Sequence, residues 1–383
     1  MSGLSSIMKN IKTSTTLKID NLAKEMKKAG NDVVLFTAGE PDFPTPQPIK
    51  DAAKSAIDAN FTKYTNSNGI EELRDAISKK LRNENGLFYN PDQIVVSNGG
   101  KQALFNAFGA ILEPGDEVIV IAPAWVSYVP QIEMWKGKPV ILNTYPENEY
   151  IPSISDFEKL LTSRTKAILM NSPNNPTGAV YPKETIEMIA NFVKKHDLFV
   201  VTDEIYEKLS YDLPHVSIGS FDEMRDRTIT INGFSKSYAM TGWRIGYCAG
   251  PSNVIKEISK IQSHTTSNVN SITQIAAVKA LEVDTSYMVK EFRERRDLIS
   301  DLLKDTKLKF FKPKGAFYVM IDLRDFLKGK STEELCLDMI KQAGVAVIPA
   351  DDFYAPGFAR ISFSTSKEEI KKGIARIKNY LKF

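Results

Sequence analysis

The chain has 383 residues, beyond the size at which one hydrophobic core usually stops growing, so a large domain with a smaller companion is expected. With 42% hydrophobic and 25% charged residues, it has the make-up of an ordinary globular protein. The formal charge of +3 is spread without a basic block, which excludes nucleic acid as an expected partner, and no apolar run approaches the roughly 18 residues of a membrane span.

The two cysteines, Cys248 and Cys336, lack metal-ligand spacing, and His196, His215 and His264 are scattered. A reducing compartment and no structural metal are expected. Residues 1–19 carry Lys9, Lys12 and Lys18 among serines and threonines with no acid, faintly like an organellar transit peptide. In chain order, strands are predicted over 93–97, 117–121, 167–170, 198–201 and 228–231. Helices fall over 100–112, after the first strand, and 183–195, after Pro182 with Glu184 and Glu187 near its positive end. This alternation predicts an α/β domain on a mostly parallel sheet. A charged helix over 287–304, with Arg293, Arg295, Arg296 and Asp297, reads as a spine joining two domains. Segments 315–321 and 359–363 alternate like strands of a partly exposed sheet, and 366–381 is an amphipathic helix.

In open α/β sheets a ligand binds beyond the carboxyl ends of the strands, so polar residues there carry weight. Three successive predicted strands run into Asn171-Ser-Pro-Asn-Asn175-Pro-Thr-Gly178, into Asp203-Glu-Ile-Tyr206, and into Asn232-Gly-Phe-Ser-Lys236 with Arg244 beyond. Each alone is ordinary turn or cap chemistry. Together they suit pyridoxal phosphate, whose aldehyde needs an amine, whose ring nitrogen needs an anion and whose phosphate needs donors. Lys236 would supply the amine of a Schiff base and Asp203 the anion. Asn175 and Tyr206 would donate to the phenolic oxygen, and Arg244 would fork the phosphate with the Ser235 hydroxyl beside it. Gly100 and Lys101 open a helix after a glycine turn, a backbone anion site. Trp125 follows another strand and offers its indole to the cofactor ring.

In order, Thr37-Ala-Gly-Glu-Pro-Asp-Phe43, Tyr64, Asn175-Pro-Thr-Gly, Asp203-Glu-Ile-Tyr, Gly233-Phe-Ser-Lys and Arg360-Ile-Ser-Phe resemble the class I aminotransferases of the fold-type I pyridoxal-phosphate superfamily. The bacterial aspartate aminotransferase branch is the nearest likeness, and it covers nearly the whole chain. The resemblance implies a large cofactor-binding domain over 46–285, with a mostly parallel seven-stranded sheet flanked by helices, and a smaller α+β domain from 1–45 and 286–383. It implies that Arg360 anchors the substrate α-carboxylate with both prongs, assisted by the Gly39 backbone and the Asn175 side chain, with Trp125 nearby. Lys101 would meet a distal carboxylate. Tyr64 would reach the phosphate of the neighbouring subunit, so a homodimer with shared active sites is implied. The first residues match a mature bacterial enzyme, favouring a cytoplasmic protein over one with a transit peptide.

Two departures stand out. Gly233 replaces a serine of one aspartate aminotransferase branch, leaving more of the phosphate contact to Ser235 and the Gly100–Lys101 turn. Residues 263–270 lack the arginine with which that branch's partner subunit holds the distal carboxylate. The expected reaction is ping-pong transfer of the amino group of L-aspartate to 2-oxoglutarate, with Lys236, Asp203 and Tyr206 as catalytic residues. Prephenate, aromatic, alanine or kynurenine donors, and β-elimination, are the alternatives. A regulator on an inactive scaffold is disfavoured by the intact Lys236, Asp203, Tyr206 and Arg360, and by the lack of a helix-turn-helix segment before Thr37.

Overall fold

The computed structural model describes residues 15–382 together with Met8 and Ile11, so most of the leader-like stretch over 1–19 lies outside the described residues. The strands are β1 (Val34–Leu35), β2 (Ile94–Ser97), β3 (Glu117–Ala122), β4 (Lys138–Asn143), β5 (Thr165–Asn171) and β6 (Phe199–Asp203). They continue with β7 (Thr228–Gly233), β8 (Gly246–Ala249), β9 (Tyr318–Asp322), β10 (Val345–Ala346), β11 (Ile348–Pro349) and β12 (Phe358–Ser362). Seven form one sheet in the order β2-β8-β7-β6-β5-β3-β4, parallel throughout except that β8 opposes both its neighbours.

The sheet is covered on both faces, which is why β3, β5 and β6 read as largely apolar runs. Alternation along β3 sorts its side chains. Val118 and Val120 meet Ala103, Leu104 and Phe108 of the helix Gly100–Ile111. Ile119 and Ile121 meet Ile186, Ile189 and Val193 of the helix Lys183–Lys195 on the other face.

Two strands of this sheet escaped the sequence reading. β4 is an edge strand with exposed residues at both ends, and β8 is a four-residue segment bounded by glycine. Neither presents the long apolar run by which the buried parallel strands were found.

A second, antiparallel sheet runs β11-β12-β9, and β1 pairs with β10 in parallel. The expected partial exposure of this sheet is corrected: every residue of β9 is buried. Phe317, Val319 and Ile321 pack with Phe292, Ile299 and Leu303 of the helix Ser286–Lys304, while Met320 faces Ile348, Ala350 and Phe353. The charged helix is also drier than its composition suggests. Arg295 is buried on Asp42 at 2.7 Å, and Arg296 donates to Asp212 and, at 2.9 Å, to the Pro313 carbonyl.

Candidate active site

β5, β6 and β7 lie side by side and parallel, so their carboxyl ends share one edge of the sheet. A cavity of about 340 Å³ lies at that edge. Gly39, Gly100, Lys101, Trp125, Asn175, Asp203, Tyr206, Ser235, Lys236, Arg244 and Arg360 all line it. Tyr64 does not; its side chain is 92% exposed on the outside of this chain.

The segment after β7 carries Lys236, Ser235 and Arg244. Phe234, Tyr238 and Met240 anchor it in a core with Leu73, Ile77 and Tyr247. Thr45 Oγ1 donates to the Ala239 carbonyl at 2.6 Å and accepts from Trp243 Nε1 at 3.0 Å. These anchors hold Ala239 and Arg244 at φ of 51° and 54°, left-handed conformations that cost about 1–3 kcal/mol each and gather at functional sites. Lys236 Nζ donates to the Gly39 carbonyl. Burial holds its amine down to about 8, opposed by Glu40 and Asp203 and reinforced by Arg360 and Arg244.

Arg244 lies against the turn before the helix Gly100–Ile111, its Nη1 on the Thr241 carbonyl at 2.7 Å and its Nη2 near the Asn98 carbonyl at 3.3 Å. A Cβ on Gly99 would come within 2.5 Å of Arg244 Nη2, and Gly99 has φ of 82°, so this approach requires glycine. The helix has no capping side chain and no acid in its first turn. Its positive end, the guanidinium and Lys101 together make an anion site. Lys101 Nζ sits 4.8 Å from the Trp125 ring centroid. Its amine is held down by burial and by Arg244. Gly233 has no room for a side chain, since a Cβ would lie 2.9 Å from Gly246 Cα; the serine found there in one branch would not fit.

On the far side, Asp203 ends β6 with its carboxyl pushed up to about 6 by burial, with Glu204 adding, and Tyr128 and the Ile205 N–H opposing. Tyr206 shares a hydrogen bond with the Tyr318 hydroxyl at 2.9 Å. Arg360 is buried, donating to Asn175 Oδ1 at 3.0 Å and to the Thr37 carbonyl at 3.2 Å, with its Nε unpartnered. It lies 4.4 Å from the Tyr318 ring centroid and 5.2 Å from that of Phe353.

Sequence reasoning missed Tyr128, Tyr318, Phe353, Thr37, Asn171 and Asp20 as cavity residues. Of these, Tyr128 had the nearest sequence signal, three residues after Trp125 at the start of the next helix. Elsewhere, Glu204, Glu207 and His215 bring metal-ligating atoms within 4.8 Å of one another, but the buried Lys80 ammonium donates to Glu207 and already supplies a positive charge there.

The donor set fits pyridoxal phosphate: an anion cradle needing glycine at one end, a buried carboxylate at the other, and a lysine amine between. Fold and cavity together define a fold-type I pyridoxal-phosphate enzyme. Residues 31–377 match the family model for aminotransferase class I and II. The aspartate aminotransferase of Thermotoga maritima is 45% identical over 371 residues, 97% of each chain. The aspartate/prephenate aminotransferase of Thermus thermophilus is 44% identical over 387 residues, 100% of this chain and 99% of the other. The structure of a Thermus thermophilus aspartate aminotransferase with maleate superposes with a TM-score of 0.94 at 42% identity, over 99% of this chain and 100% of that one. The chain belongs to the class I and II aminotransferases, whose cofactor is pyridoxal phosphate.

Proposed function

We propose that this aminotransferase moves the amino group of L-aspartate to 2-oxoglutarate, giving oxaloacetate and L-glutamate, in two ping-pong half-reactions that use the same residues in turn. The observation that carries this is the pair of cations that line the cavity in addition to Lys236 and Arg244: Arg360, buried with its Nε unpartnered, and Lys101 beside Trp125. Two cations suit a substrate with two carboxylates, and maleate, the ligand named for the Thermus thermophilus structure, is such a molecule.

When bound, pyridoxal phosphate supplies an aldehyde for amine exchange and a ring that accepts the electrons of the bond broken at the substrate Cα. Lys236 is the attachment residue, and its free amine carries the proton to and from that Cα; a value near 8 leaves a useful fraction unprotonated close to neutrality. Asp203 would hold a negative charge at the ring nitrogen, Asn175 and Tyr206 would donate to the phenolic oxygen, and Arg244, Ser235 and the backbone of the Gly100–Lys101 turn would hold the phosphate, leaving the Lys101 ammonium to the substrate. Arg360 grips the α-carboxylate with its planar fork, beside Gly39 and Asn175. Trp125 closes one wall and excludes water.

We also take the chain to be a cytoplasmic homodimer in which Tyr64 serves the partner's phosphate. The exposure of Tyr64, and two buried free cysteines suited to a reducing medium, support this. The division into 46–285 and 1–45 with 286–383 is supported by the confinement of the seven-stranded sheet to 94–249. Among the described residues no helix is long and apolar enough to cross a membrane.

Purified enzyme with cofactor, assayed with 2-oxoglutarate against aspartate, alanine and phenylalanine as donors, and with glutamate as donor against oxaloacetate and prephenate, tests the substrate assignment. Aspartate should lead, and Lys101→Ala should lose dicarboxylate turnover selectively; equal losses for alanine and aspartate would remove Lys101 from recognition. The name of the Thermus thermophilus relative favours prephenate as a second amino acceptor, and prephenate too carries two carboxylates. Lys236→Ala should abolish turnover, and an active variant would refute the central assignment.

A further inference from the structure

In the cavity wall, Tyr128 opens the helix Tyr128–Met134 and donates its hydroxyl hydrogen to Asp203 Oδ2 at 2.7 Å, with both side chains buried. The Ile205 N–H reaches the other oxygen, Oδ1, at 3.3 Å. Tyr128 is fixed where it stands: its ring meets Trp125 edge-to-face at 5.4 Å, and the two rings pack against the helix Gly100–Ile111. The charged groups acting on Asp203 are Glu204, next in sequence, and Lys236 across the cavity; the Tyr206 and Tyr181 hydroxyls face the same buried cluster.

A buried carboxylate is costly unless its oxygens find donors, and an O–H aimed at one oxygen fixes both its rotamer and its ionised form. We propose that Tyr128 is a positioning residue of the aminotransferase, holding Asp203 turned and charged so that the carboxylate can pair with the ring nitrogen of the cofactor. This rests on the assignment of Asp203 to that nitrogen. Tyr128 acts through Asp203. Burial opposes the charge of Asp203, and the tyrosine hydroxyl pulls the other way.

Tyr128→Phe removes the donor and keeps the ring. In the holoenzyme it should lower kcat about tenfold, the effect of one lost buried hydrogen bond, and speed release of pyridoxal phosphate on dialysis by a similar factor. KM for aspartate should hold, because the Arg360 contact is untouched. The acid limb of the kcat profile should move to higher pH. Asp203→Ala is the reference. If it keeps both cofactor and turnover, the ring-nitrogen assignment fails and takes the Tyr128 role with it. If it loses both while Tyr128→Phe matches the parent in cofactor release and pH profile, only the Tyr128 role is overturned. Adding Tyr128→Phe to Asp203→Ala should not speed cofactor release further; an additional loss of the same size also overturns it. Should Tyr128→Phe fail to fold, 3-fluorotyrosine at position 128 keeps the shape and donates more strongly. It should move the acid limb to lower pH, and an unmoved limb counts against the proposal.

Discussion

Asp203 has a carboxyl pushed up to about 6 by burial, and Lys236 an amine held down to about 8 for the same reason. Each departure links pH to stability, with opposite slopes. The Asp203 value lies above the ordinary 3.8, so the folded chain keeps this proton longer than the unfolded one; the contribution is present below 3.8 and lost as pH rises through about 6. The Lys236 value lies below 10.5, so between about 8 and 10.5 the unfolded chain binds more protons, and the contribution grows as pH rises through that window. Cofactor-free Asp203→Asn should therefore melt above the parent chain when pH exceeds 6, and lose that advantage below 3.8. Calorimetry across this range checks it; a gain that does not vary with pH would show that the charge of Asp203 is not what costs stability. A buried charge kept for a ligand is the kind of feature that trades stability for activity.

At the scale of elements, the turn between β2 and the helix Gly100–Ile111 matters most, because it meets the loop that carries Lys236 and Arg244. Gly99 sits at φ of 82° with Arg244 Nη2 where a Cβ would go. Gly99→Ala should cost about 1–3 kcal/mol in the cofactor-free chain through backbone strain. Because Arg244 must also move, cofactor affinity should fall about tenfold or more, a loss comparable to one charged contact. Unchanged affinity, measured by equilibrium titration, would mean that Arg244 is not held by this turn. The predicted strands over 117–121, 167–170, 198–201 and 228–231 correspond to β3, β5, β6 and β7; burial on both faces writes itself into the first three as apolar runs, while β7 alternates threonine with isoleucine. β4 and β8 leave no such trace, for one is half wet and the other is short and flanked by glycine. The same limit applied to β9, where alternation suggested an open face that the helix Ser286–Lys304 and the Phe353 cluster in fact cover.

For the whole molecule, the outward pose of Tyr64 has company: Ile57 is 53% exposed and Phe61 36% exposed nearby in sequence. A second copy of the chain covering this region is the arrangement that the proposed shared sites require. Sedimentation should give twice the 42.8 kDa of one chain. Mixing Lys236→Ala with Tyr64→Ala chains should restore activity above the sum of the two, because a hybrid dimer contains one site with an intact lysine and an intact partner tyrosine. Activity equal to the sum would remove Tyr64 from the partner's site.

Local sequence was enough to mark the strand-end motifs around Asn175, Asp203 and Lys236, since each lies within a few residues of the strand that presents it. Their order along the chain then carried the resemblance to a family and its cofactor. Contacts across long sequence separations could be decided only by the folded chain. Tyr128 meets Asp203 across 75 residues, and Arg360 meets the Thr37 carbonyl across 323. Neither pair has a local pattern, because a hydrogen bond between distant segments constrains only the two residue types and the packing that brings them together. Hence the choice of chemistry was written in short motifs, while the support of Asp203 and the aim of Arg360 came from tertiary packing alone.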